Sequence, residues 1–290
     1  MQQHQIPLLA MLYFKNIGFT LAILCLASCS QLTDKNPDTA LAAAQEAPLQ
    51  FETQSMERSS TGCATDSSTC AKVSITYPEA VGGETALRDS INLFVQQRLR
   101  KLALDFNPDA SIAGGKNASE FLATFFLGQH EQLTKDFADS AEMPASVARW
   151  ELEVKGEPLL NSGKATSLQL QVYYYTGGAH PNYYRVLQSF GPNGEKLAIS
   201  DMVTDTLALM QLAEQEFRKV KEVVGDKPLA EAGLFIEGDL LPLPQNVALT
   251  PDGLLLYYNP YEIGPWALGD TEVLLRYEQL APLLHPKYKP

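Results

Sequence analysis

Arg149-Trp150-Glu151-Leu152-Glu153-Val154-Lys155 is the stretch that decides the fold. Trp150, Leu152 and Val154 alternate with Arg149, Glu151, Glu153 and Lys155, a period of two that describes a half-buried strand. The apolar side of such a strand needs a core, and the charged side faces water. Asn161-Ser162-Gly163 reads as a turn, after which Leu168, Leu170, Val172 and Tyr174 repeat the period. Tyr184 to Phe190 follows as a third strand, closed by the Pro192-Asn193-Gly194 turn. Connections this short join antiparallel neighbours.

Outward from this block the period changes to that of a helix. Glu84 to Leu104 carries Leu87, Ile91, Phe94, Val95, Leu99 and Leu102 at three-to-four spacing, with Arg98, Arg100 and Lys101 near its end. A second helix is predicted from about Ala118 to Asp139, with Leu122, Phe126, Leu133 and Phe137 on one face and Asn117 as its cap. Before them, Val73, Ile75 and Tyr77 form a strand that Pro78 stops. On the C-terminal side, Leu207 to Val224 is helical. Val247 to Leu249 and Leu254 to Tyr258 make a hairpin around Pro251-Asp252-Gly253, Thr271 to Tyr277 is a final strand, and a short helix closes the chain. The expected fold is α+β, an antiparallel sheet with packed helices, and not a doubly wound sheet. The sequence divides it into an N-terminal part, residues 70–157, and a C-terminal domain, residues 158–290.

Residues 30–62 are rich in Ala, Gln, Ser, Thr and Asp and poor in large apolar side chains. Such a stretch buries too little surface to offset its ordering entropy, so residues 29–69 are expected to form a flexible tether. Near its end, Cys63 and Cys70 read as a local disulfide in an oxidising compartment. Closing so short a loop contributes roughly 2.5 kcal/mol in the chain-entropy model. The rival reading, a metal pair, has no neighbouring His or further Cys to complete it.

Upstream of the tether, Lys15 precedes an apolar run from Ile17 to Leu26 and then Leu26-Ala27-Ser28-Cys29. The run is too short to span a bilayer, which takes roughly 20 apolar residues. A cation, a short apolar core and small residues make residues 1–28 a secretory signal. The segment resembles a bacterial lipobox. The resemblance implies cleavage before Cys29 and lipidation of that cysteine. Ser30, where an aspartate would favour the inner membrane, leans toward the outer membrane facing the periplasm. The formal net charge of −12 argues against nucleic acid and against adhesion to anionic phospholipid, and suits a cationic partner.

Two further stretches carry a family resemblance. One is Tyr175-Thr176-Gly177-Gly178-Ala179-His180-Pro181 with Ile199-Ser200-Asp201 downstream. The other runs from Leu249-Thr250-Pro251-Asp252-Gly253-Leu254 through Tyr257-Tyr258-Asn259-Pro260-Tyr261-Glu262-Ile263-Gly264-Pro265-Trp266-Ala267-Leu268-Gly269. Together they resemble the C-terminal domain of RsiV-type anti-sigma factors, a domain of unknown function also found beside peptidoglycan deacetylases. Val73 to about Val154 is similar to the partner domain that precedes it. The resemblance implies an extracytoplasmic module that binds c-type lysozyme or works on cell-wall glycan. The sequence departs from the anti-sigma pattern, lacking the transmembrane and cytosolic parts that hold a sigma factor, and from the deacetylase pattern, lacking its catalytic domain.

Candidate ligand-binding residues cluster in those two stretches. Gly177 and Gly178 permit positive φ and the close approach of a ligand or strand. His180 beside them either binds a ligand or hydrogen-bonds a neighbouring loop. Tyr173, Tyr175, Tyr183 and Tyr184 flank it and either stack on a partner or pack on the sheet. Tyr261, Glu262 and Trp266 form either a second part of the site or a loop clasp. No second carboxylate is close enough in sequence to make Glu262 half of a glycosidase pair. His130 falls on the apolar stripe of the second helix and reads as a core histidine. No nucleophile elbow, phosphate loop or free thiol is present, and His130, His180 and His285 lack ligand spacing. The expectation is a lipid-anchored binding module without cofactor or metal, with lysozyme or peptidoglycan as partner. An envelope hydrolase using Glu262 or His180 is the enzyme-class alternative.

Overall fold

In the large sheet, strand pairing follows the polar–apolar alternation. The computed structural model describes residues 48–64, 69–112, 117–138, 149–223, 225, 227–236 and 240–289. The leader, Cys29 and the tether up to residue 47 lie outside the described residues. All of the latter belong to one unit, Gln45–Pro290. Its larger sheet has six strands in the order β1 (Gln50–Ser59), β2 (Ala71–Val81), β3 (Trp150–Asn161), β4 (Thr166–Tyr175), β5 (Asn182–Phe190) and β6 (Lys196–Leu197). Neighbours are antiparallel except β2 and β3, which are parallel.

A parallel pair needs a long crossover. Here it contains α1 (Thr85–Lys101), α2 (Ala103–Phe106) and α3 (Ala118–Asp136). The Glu84 carboxylate caps α1 by accepting from Leu87 N at 2.8 Å, and Asn117 caps α3 by accepting from the amides of Ser119 and Glu120. Leu102 separates α1 from α2, so the predicted single helix to Leu104 is broken there. The crossover lays Ile91, Phe94, Leu122 and Phe126 on Val73, Ile75, Leu152, Val154, Leu168 and Leu170. His130 belongs to this core: it is 2% exposed, and its ring meets Trp150 at 5.5 Å.

The second sheet has β7 (Asn246–Leu249), β8 (Gly253–Tyr258) and β9 (Thr271–Arg276), all antiparallel. The turn before β8 requires glycine. Gly253 has φ +154°, and a Cβ there would come within 2.0 Å of Leu275 O. The one-turn helix α4 (Ile199–Met202) leads into α5 (Thr206–Val220), which lays Leu209, Ala213 and Phe217 on this sheet. Another single turn, α6 (Tyr277–Leu280), follows β9.

The tether reading fails over residues 50–59, which form β1. The expected division at residue 157 also falls inside β3, so the two parts share one sheet. Cys63 and Cys70 are bonded to each other. Among the described residues no helix is long and apolar enough to cross a membrane. The architecture is α+β, with a mostly antiparallel large sheet.

Candidate functional site

The helices seal one face of the large sheet, and the small sheet covers only part of the other. On that back face Ser167, Gln169, Leu187 and Ser189 are buried. Leu187 packs with Ala248, Leu255 and Tyr257 of the small sheet. The small sheet is also tied to β5 by hydrogen bonds. Asn246 Oδ1 accepts from Leu187 N at 3.1 Å, and Ser189 Oγ accepts from Leu249 N at 3.0 Å. Asn259 accepts from Arg185 N at 2.7 Å and donates to Arg185 O at 3.0 Å. Its side-chain amide thereby completes an otherwise open strand edge.

Beyond this seam the back face is uncovered. Strand register aligns Glu153, Tyr173 and Tyr183 in one row, and Lys155, Gln171 and Arg185 in the next. These side chains line a groove of about 300 Å³ with Tyr257 and Asp270 at one wall. Lys155 pairs with Glu153 at 2.7 Å. Arg185 lies 4.5 Å above the Tyr257 ring and pairs with Glu272 at 3.0 Å. The Tyr257 hydroxyl donates to Asp270. Burial, then that hydrogen bond, pushes the Tyr257 phenol well above its ordinary value. Tyr183 is also raised, by desolvation and then by the Asp270 charge, so both phenols are neutral donors at physiological pH.

An aromatic platform continues from Tyr183. The Trp266 ring lies 6.5 Å from Tyr183, edge to face, and His180 stacks on Trp266 at 4.2 Å with 20° between planes. His180 Nδ1 is 2.9 Å from Pro181 O, an acceptor only, so Nδ1 carries a proton. Nε2 faces the Tyr261 hydroxyl at 3.4 Å. Trp266 Nε1 is buried with no partner among the described residues.

The loops that present these rings are fixed locally. Gly177 and Gly178 adopt φ of 87° and 102°, and the Tyr175 hydroxyl donates to Gly178 O at 3.1 Å. A Cβ at Gly178 would meet nothing within 4 Å. At Gly178 the need is therefore conformational, and the expected close approach of another strand is absent. Tyr261 has φ 69° and is 58% exposed. A bulky residue in that region is strained by about 1–3 kcal/mol and persists where surrounding contacts hold it. Glu262 supplies them, its carboxylate accepting from Asn259 N at 2.9 Å and Gln245 N at 3.3 Å. The geometry of Glu262 is that of a clasp. From behind, Lys221 Nζ donates to Leu268 O at 3.2 Å and Asp270 O at 3.3 Å.

The structure thus brings His180, Tyr183, Tyr261 and Trp266 together, with Gly177, Gly178 and Glu262 as supports. Sequence reading missed Glu153, Lys155, Gln171, Arg185 and Asp270. The only signal for the first four was their shared parity on three alternating strands. Among the described residues no group of three or more His, Cys, Asp or Glu side chains is placed to hold a metal ion.

Comparison with known proteins matches two stretches of the chain. Residues 64–183 match the family model described as deacetylase PdaC, and residues 200–278 match DUF3298, a family of unknown function. No curated protein matches the chain. A solved DUF3298 family member from Bacteroides fragilis NCTC 9343 is 20% identical with a TM-score of 0.66, covering 82% of this chain and 94% of its own. A DUF3298 family protein from Pseudomonas aeruginosa PAO1 is 19% identical with a TM-score of 0.56, covering 84% of this chain and 98% of its own. His180 and Tyr183 close the first matched segment, while Tyr261 and Trp266 lie in the second. The site therefore assembles from a PdaC-like segment and a DUF3298 segment, on the fold of solved DUF3298 proteins.

Proposed function

We propose that this chain is an envelope-associated binding module that holds cell-wall glycan on the open back face of its large sheet. One juxtaposition carries the reading: an aromatic wall of Trp266, His180 and Tyr183 stands beside a floor of hydrogen-bonding side chains from three adjacent strands. Sugar rings present the complementary pair of surfaces, an apolar C–H face and a rim of hydroxyls and amides. The likeness to the model described as deacetylase PdaC supports the envelope setting. The lipobox-like Leu26-Ala27-Ser28-Cys29 supports a lipid anchor, with the outer membrane facing the periplasm as the proposed location.

A second reading, capture of a c-type lysozyme, draws on the net charge of −12, which would speed encounter with a cationic protein. Sedimentation of the purified full chain with insoluble peptidoglycan at physiological salt separates the two. The glycan reading expects the chain in the pellet, and Trp266→Ala to weaken retention at least about tenfold, as loss of a central aromatic anchor does. A chain that stays in the supernatant, yet gives salt-resistant heat with lysozyme in a calorimeter, would transfer the assignment to the second reading.

A further inference from the structure

Resting on the glycan reading, we infer that the groove extends across the strands from the aromatic platform to β1 and takes a linear, uncharged N-acetylated glycan lying perpendicular to the strands. The first observation is continuity. A second concavity of about 470 Å³ lies over β1, β2 and β3, and it shares Glu153 with the first. Register places Glu57, Ser74, Glu153, Tyr173 and Tyr183 in a single row over five strands. Side chains in one row project from the same face of the sheet, so the row forms the floor of one trough. Ser59 and Ser74 are small, which leaves the β1–β2 end unobstructed.

The second observation is length. Four strand spacings of about 4.8 Å give a trough of roughly 19 Å. A β-1,4-linked chain of pyranose rings advances by about one strand spacing per sugar, so the trough has room for about four or five sugars.

The third observation is charge. Three ion pairs lie along the trough: Glu153 with Lys155 at 2.7 Å, Glu151 with Arg149 at 3.8 Å, and Glu272 with Arg185 at 3.0 Å. Asp270 accepts from Tyr257, and in the second concavity Glu57 is accompanied by Lys72. A ligand amine or carboxylate would compete with these solvent-exposed pairs at a modest electrostatic cost. Neutral hydroxyls and acetamido groups meet no such penalty. The Gln171 amide in the middle of the floor supplies both a donor and an acceptor to them.

The test is calorimetric titration of the full chain with β-1,4-linked N-acetylglucosamine oligomers from the disaccharide to the hexasaccharide, and with their fully deacetylated counterparts. At physiological salt, affinity should rise with each added sugar and level off at about four or five, with the deacetylated oligomers weaker by about two- to fivefold. Ser74→Tyr places a ring in the distal trough at a position where strands accept aromatics. It should reduce the tetrasaccharide to the affinity of the disaccharide, leave the disaccharide unchanged, and keep the melting temperature of the parent. Affinity that does not grow beyond the disaccharide, or a Ser74→Tyr variant that binds tetrasaccharide like the parent, overturns the extended trough while leaving the glycan reading standing. Equal affinity for deacetylated oligomers overturns the uncharged-ligand assignment. Absence of binding to every oligomer and to peptidoglycan removes the glycan reading itself.

Discussion

The two faces of the large sheet come from the same alternating strands and end as opposites. One face sets Val73, Ile75, Leu152, Val154, Leu168 and Leu170 against the crossover helices and excludes water. The other carries Glu153, Lys155, Gln171, Tyr173, Tyr183 and Arg185, and the small sheet covers only its lower part. The difference teaches where a site can form on such a scaffold. Polar side chains become a groove only where a second layer stops, leaving a wall beside an uncovered floor.

The sealed face should break first. Phe126→Ala empties a fully buried position between Phe106 and Trp150. It should cost about 3–5 kcal/mol in urea denaturation. Tyr183→Ala on the open face should stay within about 1 kcal/mol of the parent and still abolish retention on peptidoglycan. Equal stability losses for the two would erase the distinction between the faces.

The seam comes next. Asn259→Ala leaves both backbone groups of Arg185 without their side-chain partners. A loss of about 1–3 kcal/mol follows. It should weaken glycan binding as well, because the same loop presents Tyr261 and Trp266.

The smallest effect probes the one carboxyl placed on the helix side beside Tyr184. Burial raises the Asp105 carboxyl above 3.8, although the Tyr184 hydroxyl, donating at 2.8 Å, opposes the rise. A carboxyl whose folded value exceeds its unfolded value binds its proton more readily in the fold. Its contribution to stability therefore falls as pH rises through that window. Asp105→Asn cannot ionise and retains an acceptor for Tyr184. Its stability, measured against the parent from acid to neutral pH, should decline less.

Where apolar and polar residue types alternate along the strand, the strands were legible. The Leu152–Val154 and Leu168–Tyr174 periods, the α1 stripe and the Asn117 cap all follow from local rules of spacing and hydrogen bonding. β1 escaped because an edge strand needs little burial. Its side chains are mostly exposed, and it is held by backbone pairing with β2 and by Phe51 and Met56, whose odd spacing of five leaves no apolar period to read.

The amino-acid sequence by itself determined the fold class, the main helices and strands, the disulfide partners and the aromatic-rich loops, since each depends on neighbours a few residues apart. Tertiary structure alone decided the candidate site. Glu153, Gln171 and Arg185 come from separate strands, and Asp270 follows them by 85 residues or more. Strand register sets the first three on one face in adjacent rows, and the Asn259 seam sets the small sheet beside them. Neither leaves a trace in local spacing, because both are properties of pairing between distant segments.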